Sequence, residues 1–591
     1  MTEKILVEIA WPYASASIHV GNITGSHLPA DIYARYHRLK GNDVVMVSGS
    51  DSHGTPVTVK ADEEGTTPLE VSKKYHEEFV ELFQKLGIHY DQYTSTHTEN
   101  HFKVAQSFFL ALKQNGFLYE KTQRQWYSEK SDRFLPDRYV EGTCYQCGAD
   151  GARGDQCDTC GSMLDATLLK NPISKMDGST PVLKDTTHFF LDLSKLEKDV
   201  VSFLESKQES WRANVVKQSL GWIKAKGLLG RPITRDLAWG IPVPVEGWDG
   251  KCMYVWFEAV IGYLSATIEW AKLGDENDNW EDYWLNPDAK ASHFIGKDNI
   301  PFHAIMWPAQ LLGAGEQFCE VFGEGQGKLT LPYDVPANEF MNMEDRKISG
   351  SKNWGVWGLD YLTRYDPDPL RFYLTTNMPE SRDSNWDWDD FISRNNNDLV
   401  ATWGNLANRV LTFTHKKWDG VIPEPGELSE KDKELLETIE KGFDTVGELI
   451  ETVKLRAALS EAMRLASEVN KYLDETAPWS LAKTDMAAAG TVVYVAIKAI
   501  DSLKTMLSPF LPFTSEQLNT YLRDDAPLYG EQYTQIVKDT LGEHKVLRYK
   551  ATGSGEWKPS DLKGGIPFKK PAPLYKKLEK EVAEEERARL N

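Results

Sequence analysis

Cysteine is scarce in this chain of 591 residues, with six in all, and no apolar run is long enough to cross a bilayer. The longest such run, Met486 to Ile497, stops at Lys498. The opening residues carry no basic cluster followed by a continuous apolar segment, so no leader peptide is expected. Basic residues are in deficit: 67 Lys and Arg stand against 88 Asp and Glu, a formal charge of −21. Phosphate backbones are bound by Lys and Arg, so this balance argues against a generic DNA coater. A local basic surface on an acidic protein is still compatible with a discriminating, salt-sensitive nucleic-acid ligand. No internal repeat or long low-complexity tract is visible. The expectation is a cytoplasmic protein with no membrane attachment and no DNA partner, filling about two to four domains.

What is present begins with an apolar stretch, Ile5 to Trp11, that reads as a strand feeding the turn Y-A-S-A-S-I-H-V-G-N at Tyr13 to Asn22. Leu28, Ile32, Tyr36 and Leu39 then recur at helical spacing, which predicts a helix from near Gly21 to Lys40-Gly41. His19 and Asn22 fall at its N-terminus, where free backbone N–H groups and the helix dipole favour phosphate. A second strand, Val44 to Val47, runs into the polar loop Ser48 to Thr55, the position where doubly wound sheets hold ligands. The α/β rhythm breaks from Tyr119 to Pro232 and returns near Trp239 to Pro244 and His293 to Asp298. From Asp390 to Tyr521 the pattern is helical, with Leu435, Ile439, Phe443, Val446 and Ile450 tracing one apolar stripe. A tail rich in Gly, Pro and Lys follows from about Glu543, closing on a charged helix over Leu574 to Leu590.

Four of the six cysteines form C-x2-C-x9-C-x2-C at Cys144, Cys147, Cys157 and Cys160, with Gly148 and Gly161 behind the pairs. That spacing suits two knuckles clamping one tetrahedral Zn²⁺; four thiolates leave no open position, so the metal would be structural. Two disulfides are the alternative, disfavoured in a reducing compartment. Cys252 and Cys319 read as buried apolar cysteines. Downstream, Lys347-Ile348-Ser349-Gly350-Ser351-Lys352 joins lysines, hydroxyls and a glycine in one loop, the composition of a lid over nucleotide phosphates.

Taken together, these segments resemble the class I aminoacyl-tRNA synthetases. His19 to Asn22 is similar to their H-I-G-H signature with Asn22 in the last histidine position, and Lys347 to Ser351 is similar to K-M-S-K-S with Gly350 in place of the second lysine. The segments Ala10 to Ala14, Gly49 to Pro56, Tyr254 to Tyr263, Gly296 to His303, Asn405 to Arg409 and Ala477 to Trp479, with the cysteine knuckle, resemble the methionyl-tRNA synthetase family over nearly the whole chain. The resemblance implies a class I Rossmann-like parallel α/β catalytic domain with a zinc-bearing insertion, followed by an α-helical anticodon-binding domain. The expected divisions are 1–116 and 233–330 for the two catalytic halves and 117–232 for the insertion. A connecting segment with the lid loop takes 331–389, the helical domain 390–535 and the tail 536–591, which should pack back on the enzyme.

By the same resemblance, ATP with its Mg²⁺ would meet His19, Gly21, Asn22, Gly296, Asp298, Lys347, Ser349, Gly350 and Ser351. His19, Asn22, Lys347 and Lys352 would be catalytic, with Lys347 and Lys352 supplying the charge absent at Gly350. L-Methionine would lie among Tyr13, Trp256, Ala259, Val260, Tyr263 and His303, with Asp51 on its ammonium. Aromatic walls suit a polarizable thioether. The methionine anticodon of tRNA(Met) would be read by Asn405, Arg409 and Trp479, the indole stacking an unstacked base. A monomer is the expected state. Two rivals are a synthetase for another amino acid and a tRNA-binding paralogue without catalytic activity. The closed four-thiolate cluster and the absence of a large editing region oppose the first, and retention of His19 and Asp51 opposes the second.

Overall fold

The computed structural model describes residues 2–590 apart from 137–138, 155–156, 158, 161–163, 351–352 and 524–526. Its central sheet starts with β1 (Lys4–Ile9), flanked in parallel by β2 (Asp43–Ser50) on one side and Lys290–Gly296 on the other. β3 (Gln92–Ser95) continues beyond β2, and Ala337–Asn338 beyond Lys290–Gly296. Chain order therefore reverses between β1 and Lys290–Gly296. In a doubly wound sheet that reversal opens a crevice at the carboxyl ends of the two strands. The run Ile5-Leu6-Val7 and the pair Phe294-Ile295 are wholly buried, as strands covered on both faces require.

The helix after β1 is interrupted. α1 (Val20–Asn22) passes into a π turn, Ile23–His27, before α2 (Leu28–Leu39). Pro29 has no N–H to offer the Gly25 carbonyl, so the regular ladder cannot run through this point. The expected stripe of Leu28, Ile32, Tyr36 and Leu39 is buried. Two further segments, α3 (Thr55–Glu64) and α4 (Pro68–Leu86), lie between β2 and β3, and α5 (Glu99–Gln114) follows β3.

In the insertion, Leu118–Ser128 and Val182–Leu191 run antiparallel as two arms. Between them a small sheet of Ala152–Arg153, Val140–Thr143 and Lys170–Ser174 accompanies the cysteines, and the Tyr139 hydroxyl donates to Asp62 of α3 at 2.8 Å. Trp239 to Pro244 forms no strand; the parallel sheet resumes only at Lys290. In the helical part, Glu430–Glu451 buries the stripe Leu435, Ile439, Phe443, Val446 and Ile450. Helix Met486–Leu507 extends past the apolar run noted in the sequence and is long and apolar enough to cross a membrane by composition. Its apolar window is 72% buried inside this bundle, which accounts for the composition.

The tail packs back on the catalytic sheet through a hairpin that its composition did not announce. Glu531–Asp539 and Gly542–Lys550 form a hairpin that adds antiparallel to the edge of β3, with Leu547 opposite Tyr93, giving seven strands. This hairpin straddles the expected boundary at 535–536. Only Val546, Leu547 and Arg548 of its second strand are buried, too short a signal for alternation to reveal. The final helix is Glu581–Ala588, shorter than 574–590.

One buried carboxylate joins these parts. Asp31 of α2 accepts from Arg35 Nε at 2.8 Å, Arg371 Nη2 at 2.6 Å and the His89 N–H at 2.9 Å. Arg371, on helix Pro367–Thr376, also donates to the carbonyls of Pro509 and Phe510, both at 2.9 Å, at the corner before helix Pro512–Leu522. All three charged side chains are wholly buried. Burial alone would raise the Asp31 carboxyl, but the two guanidinium groups hold it below the usual carboxylate range. Replacing Asp31 by Asn leaves two buried guanidinium groups without a counter-charge, and the expected loss is about 3–5 kcal/mol. Urea unfolding checks this; a midpoint equal to that of the unaltered chain would contradict it.

Candidate active site and metal site

His19 closes the N-terminus of α1. Its Nδ1 accepts from the Gly21 N–H at 3.1 Å, and Asn22 Oδ1 accepts from the His19 N–H at 3.2 Å. This reciprocal cap uses one acceptor on each side chain. The ring proton therefore sits on Nε2, leaving Nε2–H and the Asn22 amide N–H groups as donors. Burial pushes the imidazole pKa down to about 4, so the ring is neutral at ordinary pH. A Cβ on Gly21 would lie 2.9 Å from His19 Cε1; glycine lets the ring fold over the first turn.

A cavity of about 300 Å³ opens here, at the reversal of strand order, and brings together His19, Gly21, Asn22, Gly296, Asp298 and Lys347. Asp298 is exposed in the turn Lys297–Asn299 that follows the strand ending at Gly296. The loop bearing Lys347 has a defined frame. Met343 and Arg346 exchange backbone hydrogen bonds across Glu344 and Asp345, whose φ values of 47° and 59° make a tight left-handed turn. Ser349 and Trp354 exchange backbone bonds of 2.8 and 3.0 Å, and Gly350 accepts from the Asn353 N–H at 3.1 Å. The returning chain is stitched to the first motif: the Val20 N–H donates to Val356 at 3.0 Å and the Gly358 N–H to Ile18 at 2.9 Å. Trp357 packs edge-on against His19 at 5.8 Å. Ser351 and Lys352 lie outside the described residues. Ile348, which faces Gly21, and Trp357 were not singled out in the sequence; aromatic and aliphatic residues in a lysine-bearing loop carry no local signal of their own.

Beyond the cavity, Tyr13 meets Trp256 edge-on at 5.8 Å, and Trp256 stacks on Phe302 at 4.2 Å. Ala259 and Val260 occupy the turn between helices Val255–Glu258 and Gly262–Leu273. The Tyr263 hydroxyl lies 2.6 Å from His303 Nε2, while His303 Nδ1 lies 3.0 Å from the Asn299 carbonyl. A carbonyl only accepts, so Nδ1 carries the proton and Tyr263 donates to Nε2. Burial drops the His303 pKa to about 3, keeping it neutral. Asp51 is buried and bridges to Tyr13 through the backbone, its N–H on Pro12 and its carbonyl on the Ala14 N–H, both at 2.8 Å. Burial first, then the negative charge of Glu258, push its carboxyl well above the ordinary aspartate value.

In the helical domain, Arg409 donates to Asn470 Oδ1 at 2.8 Å and lies 5.3 Å over the Trp479 ring, which meets Phe413 edge-on at 5.2 Å. Asn405 is exposed one helical turn before Arg409. The thiol sulfurs of Cys144, Cys147, Cys157 and Cys160 all lie within 4.8 Å of one another, so the four can hold one metal ion. Cys252 and Cys319 are buried apart from them.

Comparison with known proteins agrees with this layout. Residues 5–411 match the family model of class I tRNA synthetases (M), and residues 422–547 match the anticodon binding domain of methionyl tRNA ligase. The methionine–tRNA ligase of Thermomicrobium roseum is 51% identical over 593 residues, covering 100% of this chain and 99% of its own. That of Dehalococcoides mccartyi is 47% identical over 590 residues, covering all of both chains. The crystal structure of Mycobacterium tuberculosis methionyl-tRNA synthetase bound by methionyl-adenylate superposes with a TM-score of 0.75 at 22% identity, over 98% of this chain and 100% of the other.

The neutral state of His19 is directly observable. Its imidazole resonance should titrate with a midpoint near 4, and a nuclear magnetic resonance midpoint at the ordinary histidine value of about 6.5 would contradict the cap geometry.

Proposed function

The chain belongs to the methionyl-tRNA synthetase family of class I aminoacyl-tRNA ligases, and from that membership we propose how its residues divide the work. The enzyme activates L-methionine with ATP to methionyl-adenylate and transfers the methionyl group to the 3′ end of tRNA(Met). In the first step a methionine carboxylate oxygen attacks the α-phosphate in line, and pyrophosphate leaves. In the second a ribose hydroxyl of the tRNA attacks the acyl carbon, and AMP leaves. Neither step needs a protein nucleophile, so positioning and charge stabilisation carry the rate.

The observation that supports this reading is the cavity shared by His19, Asn22, Asp298 and Lys347. His19 Nε2–H and the Asn22 amide donate to phosphate oxygens, and Asp298 accepts from the ribose hydroxyls where Gly296 lets the nucleotide approach. Lys347 contributes positive charge to the triphosphate, and Ser349, Gly350, Ser351 and Lys352 are assigned to ATP with it; Mg²⁺ enters with ATP. Asp51 takes the methionine ammonium. Tyr13, Trp256, Ala259, Val260, Tyr263 and His303 surround the side chain, with the Tyr263–His303 hydrogen bond fixing the one polar wall. Methionine is flexible, so a rigid aromatic wall such as the Trp256–Phe302 stack limits near-isosteres better than an adaptable one.

Asn405, Arg409 and Trp479 read the anticodon. Arg409 is held between Asn470 and the Trp479 ring, so the indole has one face occupied by protein and its solvent side for a base. The four thiolates suit Zn²⁺ as a structural ion that staples the knuckle; it supplies folding energy and no chemistry. The working form is a monomer in the cytoplasm.

Two variants separate the two halves of the reaction. His19→Ala should cut methionine-dependent ATP–pyrophosphate exchange about 100-fold while leaving methionine affinity unchanged. Trp479→Ala should leave exchange intact and raise the KM for tRNA at least tenfold, the scale of one lost base stack. Equal losses of exchange in both variants would overturn the assignment.

A further inference from the structure

Glu258 is wholly buried, and both its oxygens are engaged by imidazoles: Oε1 lies 2.7 Å from His53 Nδ1 and Oε2 2.7 Å from His101 Nε2. His53 stands two residues past Asp51, and its N–H faces Asp51 Oδ1 at 3.4 Å. His101 lies in the first turn of α5, and its Nδ1 is 2.7 Å from Ser265 Oγ. Glu258 itself lies two residues after Trp256 and two before Val260. The Asp51 loop sits directly on this helix, since a Cβ on Gly54 (φ +87°) would lie 3.1 Å from Val255 Cγ1. The outer nitrogen of His53 is 3.1 Å from His97 Nδ1, and His97 stacks on Trp239 at 4.4 Å. One carboxylate therefore fastens three segments: the loop of Asp51, the helix of the side-chain pocket and the start of α5. The sequence gives no hint of it, because Glu258 falls inside an otherwise apolar stretch.

We propose that Glu258 is a positioning residue for methionine recognition: through His53 it fixes Asp51 relative to Trp256 and Val260, and its charge sets the acid limit of binding. The inference rests on the reading of Asp51 as the ammonium ligand. Its physical basis is the charge on both carboxyls. The two imidazoles outweigh the cost of burial and keep Glu258 ionised. The titratable groups around Asp51 are Glu258, whose charge acts on it, and His53, whose N–H faces it, with His97 and His101 behind them. Burial and the Glu258 charge both push the Asp51 carboxyl up, so in the free enzyme it keeps its proton to a higher pH than an exposed aspartate. An ammonium requires the carboxylate. Affinity is full above the free-enzyme pKa of Asp51 and is lost as pH falls through it. Removing the Glu258 charge removes one of the upward pushes.

The test is methionine binding by calorimetry on the full chain as a function of pH, from the acid edge of folding up to the plateau of affinity. Glu258→Gln should move the acid limb down by about one pH unit and weaken the plateau about tenfold. Glu258→Asp, which keeps the charge and shortens the reach, should hold the limb in place and lose plateau affinity. An unmoved limb in Glu258→Gln, or wild-type affinity throughout in Glu258→Asp, would overturn the proposal. In Asp51→Asn the limb should vanish; a limb that survives there refutes the ammonium assignment itself, whatever the Glu258 variants do.

Discussion

A buried carboxylate with two guanidinium partners fixes the relation between the catalytic sheet and the helical domain. Asp31 rides on α2, the continuation of the helix whose first turn His19 caps. Arg371 reaches it from the connecting segment and gives its other donors to carbonyls at the Pro509–Phe510 corner and at Leu86 and Gly87, where α4 ends. Water cannot replace any member at zero exposure, so the cluster tolerates a narrow range of geometries. The His19 cap, the Lys347 loop and the helices proposed to read tRNA are joined through it. The tail adds a second tie, pairing its hairpin with β3 and so covering an edge that would otherwise present unpaired backbone groups.

Within that frame the site works by neutral donors and fixed dipoles. His19 and His303 are both stripped of charge by burial, one donating through Nε2 and the other accepting there from Tyr263. In the proposed reaction, positive charge for the triphosphate comes from the Lys347 loop, and the chain returning from it is tied to the cap by backbone bonds at Ile18 and Val20. Local closure is thus built into the first motif and not left to side-chain contacts alone. Wide π turns stand beside three of the functional segments, at Ile23–His27, Pro301–Met306 and Asn395–Gly404. Such turns re-aim side chains at the cost of regular hydrogen bonding, a strain that persists where function requires it.

The sequence was legible where periodicity or motif chemistry is local. The strand–turn–helix at Tyr13–Asn22, the four-cysteine knuckle and the stripe of Glu430–Glu451 all appear where their residue types place them. Segments lacking such signals were missed or misplaced. Gly542–Lys550 is a strand because it pairs along its length with Glu531–Asp539 and docks on the edge of β3, while only two of its apolar residues are buried. The α/β rhythm expected to return at Trp239–Pro244 does not resume there; the segment bends, and the Trp239 indole donates to the Ser52 carbonyl at 2.7 Å. The Asp31 cluster and the Glu258 dyad of histidines join residues separated by 340 and 205 positions, respectively, and no window of sequence reveals such partners.

In the proposed reaction this loop must serve the phosphates although Gly350 occupies the place of the family's second lysine. Lys347 lines the cavity and is the described lysine of the loop that does so. The direct measurement is the single-turnover rate of methionyl-adenylate formation in Lys347→Ala at saturating methionine and ATP. The expected result is a fall of about 100-fold or more, with methionine affinity unchanged. A rate within about twofold of the unaltered enzyme, a barrier change well under the worth of one charged donor, would contradict it.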